Sequence, residues 1–248
     1  MVGVPDTVND DVRFWFDPVC PYCWLTSTWI RTVARRRGFR VEWRFIALRL
    51  LNAHVDYDAW FPPEYEAGHT AGLRLLRVCA AVREQEGPDA LARFYEALGA
   101  AVFEHEEVPE HGGGRERRGT HAFVLPVLER VGLPGELAES LDDTGHDATI
   151  QAETDEALAL TGKDVGTPII QVGPPDGLAF FGPVISRKPS DDEAEELWDH
   201  VVGLARFPGF AELKRSLRER PQLAAFGVGQ GEVGLTEDWH AGSRRQKK

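Results

Sequence analysis

Apolar and polar positions alternate from Val12 to Asp17, with Val12, Phe14 and Phe16 on one side and Arg13, Trp15 and Asp17 on the other. That period of two predicts a strand with one face more deeply buried. After Trp24 the period lengthens: Leu25, Thr28, Trp29 and Thr32 recur at helical spacing, so a helix is expected over residues 24–33. Alternation returns over residues 40–47, where Val41, Trp43 and Phe45 oppose Glu42 and Arg44. Strand, helix, strand at this spacing is a βαβ opening. From Tyr65 to about Thr161 the pattern is almost wholly helical, with helices predicted over residues 71–84, 89–103, 120–131, 135–141 and 147–160. A loop at residues 105–119, holding Gly112-Gly113-Gly114 among charges, interrupts them. Strands resume at residues 168–172 and 178–181, and Pro174-Pro175-Asp176-Gly177 between them predicts a hairpin turn. Ser190 followed by Glu193 is a capping box for a helix to about Arg206, striped by Ala194, Leu197, Trp198, Val201 and Val202. Beyond Pro221 the period fades and a poorly ordered tail is expected.

Composition narrows what such a chain can do. Its 248 residues are 42% hydrophobic, enough for a real core, and 40 acids against 28 Lys and Arg give a formal charge of −12. That balance argues against nucleic acid or an anionic membrane as the main partner. The first twenty residues contain Asp6, Asp10 and Asp11 but neither a basic segment nor an apolar stretch, so no secretory signal is read and a cytoplasmic location is expected. No apolar run approaches the ~20 residues needed to span a bilayer.

The candidate chemistry is Cys20-Pro21-Tyr22-Cys23, placed where the first strand gives way to the first helix. Unpaired N–H groups of a helix's first turn favour the thiolate of a cysteine lying there, and in such pairs the attacking thiol titrates at roughly 3.5 to 7.5. Pro21 suits a first turn, whose N–H lacks a partner anyway. With three cysteines in all, a zinc site lacks its second half, and Cys79 on its own helix reads as a small buried apolar residue. His105 and His111 lack metal-ligand spacing, so no metal is assigned. No Gly-rich dinucleotide fingerprint follows a strand.

The order of elements, with Val165-Gly166-Thr167-Pro168 before the third strand, resembles the thioredoxin fold with the inserted all-helical domain of DsbA-like proteins. On that resemblance residues 10–52 are the first part of an α/β thioredoxin fold, 53–161 the insertion, 162–221 the second part and 222–248 a flexible tail. More narrowly, Phe14-Trp15-Phe16-Asp17-Pro18-Val19-Cys20-Pro21-Tyr22-Cys23-Trp24, Leu51-Asn52, Val165 to Pro168, Phe180-Phe181-Gly182-Pro183-Val184 and Glu212-Leu213-Lys214-Arg215 are similar to the actinobacterial mycothiol-dependent nitroreductases. Two positions depart from that group: Tyr22 stands where its motif usually has Trp, and Phe103 where a helical-domain His is expected.

The resemblance implies that Cys20 attacks a disulfide or an electrophile, that Cys23 resolves the mixed disulfide, and that Thr167 and a cis-Pro168 align the substrate. It implies a pocket made by Pro21, Tyr22, Trp24, Asn52 and Tyr65, with Trp15 and Trp24 as flat walls for a small aromatic or disulfide substrate. It also implies mycothiol, a low-molecular-weight thiol, as reductant, and no tightly bound cofactor. Two other classes stay open: a glutathione-transferase-like or isomerase member of the same superfamily, and a non-catalytic redox-switch interaction protein. Oligomeric state is not legible.

Overall fold

A computed structural model of the chain describes residues 11–57, 63–105, 114–162, 164–215, 217–229 and 236–238. Strand β1 (Val12–Phe16) leads into helix α1 (Pro21–Arg37), which returns the chain to β2 (Val41–Phe45), parallel to β1 with Phe14 opposite Trp43. Gly38 closes α1 in a left-handed conformation, φ 78°, that a side chain would resist. The short helix α2 (Leu48–Leu51) precedes α3 (Pro63–Glu86), α4 (Pro88–Phe103), α5 (His121–Arg130) and α6 (Asp147–Thr161). The chain then forms β3 (Ile169–Val172), β4 (Leu178–Phe181) and α7 (Asp191–Ala205). The sheet order is β2-β1-β3-β4, with β3 antiparallel to β1 and β4 antiparallel to β3. This is a thioredoxin fold interrupted by helices between β2 and β3.

Both faces of β1 are covered, a point the alternation did not show. Val12, Phe14 and Phe16 enter the main core beneath α1, while Trp15 packs on the other side with Ile46, Ala157 and Ile169. Trp15 is therefore 0% exposed, so of the two places open to it, core or pocket wall, it takes the core. A central strand flanked by helices reads as a near-continuous apolar run for this reason.

Other differences from the sequence have local causes. Helix α3 begins two turns earlier than its apolar stripe, because Pro63, Glu64 and Glu66 suit a helix start without contributing to the stripe. Residues 135–142 wind as a tighter 3-10 helix. The interrupting loop ends in a 3-10 turn, Arg115–Gly119, packed on α3 so closely that a Cβ on Gly119 would lie 2.9 Å from Ala71 Cα. The remainder expected there, with His111 and Gly112, lies outside the described residues. The expected tail is partly structured: Leu223 is buried, and residues 236–238 pair with Leu217–Glu219 as a small antiparallel ladder. The capping box of Ser190 and Glu193 forms, and Trp29 Nε1 donates to the Ala194 carbonyl at 2.8 Å, joining α1 to α7.

Among the described residues, no helix is long and apolar enough to cross a membrane.

Candidate active site

Cys20 is the N-cap of α1: its sulfur accepts the Cys23 N–H at 3.4 Å. A capping acceptor that can ionise gains from the positive end of the helix, so this position favours the anion. Both residues are thiols here. The Cys23 side chain hydrogen-bonds toward Cys20 and holds the Cys20 thiol below its ordinary value, against burial. Burial first, and then the Cys20 anion, push the Cys23 thiol well up. The two environments thus move the two thiols in opposite directions, Cys20 toward easier and Cys23 toward harder ionisation. Cys20 is 5% exposed and Cys23 0%, so the order of accessibility is as expected but the first sulfur is far more covered than a freely open nucleophile.

Thr167, in the turn that precedes β3 and is followed by Pro168, lies against the pair. The Thr167–Pro168 bond is cis. Thr167 Oγ1 and Cys23 Sγ share a hydrogen bond at 2.8 Å, and the Thr167 carbonyl lies 3.9 Å from Cys20 Sγ. Thr167 thus contacts the second cysteine directly, beyond the substrate-aligning part expected of it.

The acid beneath this turn is the feature that sequence reasoning passed over. Asp17 is fully buried, accepting the Val19 N–H at 2.9 Å through Oδ1 and the Leu48 N–H at 2.8 Å through Oδ2. Burial raises its pKa to about 7 in spite of those two bonds, and its charge opposes the Cys20 thiolate. A charged residue ending the apolar run Phe14-Trp15-Phe16 was the available signal.

Trp24, 3% exposed, seats against α4 where Gly99 leaves room: a Cβ there would fall 2.1 Å from Trp24 Cε3. Its Nε1 donates to Glu104 Oε1 at 2.8 Å, and Lys188 Nζ reaches the same oxygen at 2.6 Å. Phe103, which replaces the expected His, stacks beside Trp24 with centroids 6.5 Å apart. Tyr22 and Pro21 are half-buried on the first turn of α1. Asn52 caps α2, Nδ2 donating to the Leu48 carbonyl at 2.8 Å, and Tyr65 lies on α3 edge-on to His69. Cys79 is buried among apolar residues, which raises its thiol pKa strongly. A cavity of about 270 Å³ lined by Ala101, His105, Phe123 and Arg130, among others, includes none of the cysteine-turn residues.

Residues 19–215, most of the chain and every element just described from the cysteine turn to α7, match the family described as Rv2466c-like, mycothiol-dependent nitroreductase Rv2466c. The chain belongs to this family. It is accordingly an enzyme of a family described as mycothiol-dependent, which makes a low-molecular-weight thiol the family's partner. A relative from Mycobacterium tuberculosis, the uncharacterized protein Rv2286c, is 32% identical over 206 residues, covering 82% of this chain and 81% of that protein. Similar solved structures include the cytosolic disulfide reductase DsbM from Pseudomonas aeruginosa, at 16% identity, 78% and 99% coverage and a TM-score of 0.46. A putative protein disulfide isomerase from Nitrosomonas europaea gives 14%, 78% and 98%, and 0.47.

Proposed function

We propose that the chain is a cytosolic two-cysteine reductase of small aromatic nitro compounds or disulfides, with Cys20 as nucleophile, Cys23 as resolving thiol and mycothiol as the source of electrons. The observation that carries this is the asymmetry of the two thiols: Cys20 caps α1 and its pKa is lowered, chiefly by the hydrogen bond from Cys23, whereas burial raises that of Cys23. For a disulfide, the Cys20 thiolate attacks one sulfur and the other leaves with the electron pair; Cys23, losing its proton, then attacks Cys20 Sγ and displaces the substrate sulfur bound to it. For a nitro group, the Cys20 thiolate and Cys23 thiol supply two electrons, Cys23 supplies one proton and solvent the other, giving a nitroso product and water. In either case Cys20 and Cys23 end as a disulfide, which two mycothiol molecules reduce while themselves becoming a disulfide. Pro168, Thr167, Pro21, Tyr22, Trp24, Asn52 and Tyr65 are the residues assigned to holding the substrate.

The test is turnover of a nitroaromatic and of a mixed disulfide by the reduced enzyme with mycothiol or glutathione offered in parallel. Turnover with mycothiol alone supports the reading; equal service by glutathione removes the choice of reductant. Iodoacetamide at neutral pH should label Cys20 first, Cys20→Ser should abolish turnover, and Cys23→Ser should accumulate the mixed disulfide. First labelling at Cys23 or Cys79 would reverse the roles.

A further inference from the structure

The cysteine chemistry gives no part to Arg49, Tyr57, His69 and Arg115, a polar cluster beside Tyr65 at the root of the helical insertion. Tyr57 Oη and His69 Nδ1 share a hydrogen bond at 2.8 Å. The Arg49 guanidinium lies 5.1 Å above the Tyr57 ring, and that of Arg115 lies 4.8 Å above Tyr65. Two tethers hold this cluster beside the turn that carries Cys20. Leu48, next to Arg49, donates its N–H to Asp17. Gly72, one helical turn beyond His69, meets Val19, with a Cβ position 2.7 Å from Val19 Cγ2.

The charge here runs against the rest of the molecule. In a chain of net charge −12, two guanidinium groups face this spot against the carboxylate of Glu66, which pairs with Arg49 at 3.1 Å, and the buried carboxyl of Asp17, which also acts on Tyr57. Among the described residues no carboxylate pairs with Arg115; its ring contact steadies the cation without neutralising it. His69 adds no charge at neutral pH, since burial and then Arg115 and Arg49 lower its pKa to about 4. It remains a hydrogen-bonding group fixed by Tyr57.

We propose that Arg49 and Arg115, with His69 between them, form an anion-selective subsite that draws the carboxylate of an aromatic acceptor to Cys20. Guanidinium groups bind carboxylates by paired, planar hydrogen bonds, and the two tyrosine rings hold both of them in place. This inference rests on the reading of Cys20 as the attacking thiolate.

The test compares two aromatic disulfides in stopped flow with the reduced enzyme: 5,5′-dithiobis(2-nitrobenzoate), a dianion, and neutral 2,2′-dithiodipyridine. Each rate is normalised to that of a free small thiol. Cys20 attacks one sulfur, an arenethiolate leaves, and Cys23 releases the second arenethiolate and a proton as the protein disulfide closes, so no further reductant enters. The dianion should react at least as fast as the neutral reagent after normalisation, although the net charge of the chain opposes it. The ratio should fall about tenfold in Arg115→Gln and in Arg49→Gln, and return in Arg115→Lys. Arg93→Gln, which removes an equal charge from the exposed side of α4, should keep the ratio. A wild-type preference for the neutral reagent, an unchanged ratio in both Gln variants, or an equal fall in Arg93→Gln overturns the subsite. If neither reagent reacts at Cys20, the reading of Cys20 falls and takes the subsite with it. Nitroreductase turnover plays no part in the readout, so its absence alone leaves the subsite standing.

Discussion

Asp17 is the residue whose proton most changes its neighbours. Its carboxyl is raised by burial from an ordinary 3.8 to about 7, so between those values the folded chain keeps a proton that the unfolded chain has lost. The stability it allows is fully present below about pH 4, declines as pH rises toward 7 and stays reduced above, with a slope of at most about 1.4 kcal/mol per pH unit. In urea titrations the stability difference between Asp17→Asn and wild type should therefore move in the variant's favour from pH 5 to pH 8; a constant difference would place the carboxyl outside this window. The same variant should shift the pH profile of Cys20 alkylation downward, because the Asp17 charge opposes the thiolate. Thr167 offers a second residue-scale test. Its hydroxyl lowers the Cys23 pKa, so Thr167→Val should leave Cys23 harder to ionise and let a mixed disulfide on Cys20 persist several-fold longer, as mass spectrometry of quenched samples would show. The cysteine motif was legible because its spacing and placement are chemical requirements. Asp17 was not, since its importance comes from burial that a neighbouring helix supplies.

Among elements, α4 and β2 depend on single contacts. An exposed helical Gly→Ala change gains about 1 kcal/mol, yet at Gly99 the new Cβ would lie inside the Trp24 ring, and Trp24 is already packed by Tyr95 and Phe103. Gly99→Ala should thus destabilise, by about 1–3 kcal/mol or more, read as a lower urea midpoint. Edge strand β2 is finished by Glu153 of α6, 5% exposed, which accepts the Phe45 N–H at 2.7 Å and pairs with Arg83 at 2.8 Å. Glu153→Ala leaves both donors short of a partner and should cost on the order of 3 kcal/mol by the same measurement. Elements whose own residues declare their period, such as β1, the β3–β4 hairpin and the capped α7, were legible. The first turns of α3 were not, because Glu64 to Gly68 mix acids, an aromatic and a glycine in no helical stripe. The ladder of β5 (Leu217–Glu219) with β6 (Thr236–Asp238) was hidden for another reason: backbone pairing needs no side-chain pattern.

Over the whole molecule, the order of strands and helices followed from the sequence, but the docking of the insertion did not. It turns on Gly99, Glu104 and Lys188, residues unremarkable along the chain that converge on the Trp24 indole. Lys188 and Glu104 are partly exposed, so their ion pair adds little to stability, less than about 1 kcal/mol. Its consequence is optical. An indole whose N–H points at a carboxylate, with the Lys188 ammonium 5.5 Å from its ring, has an emission energy sensitive to those charges, and it adjoins Cys23, the proposed resolving thiol. Trp24, one of seven tryptophans, thus sits at the junction of the three chain segments, and the difference in emission between wild type and Trp24→Phe should change when Cys20 and Cys23 are oxidised.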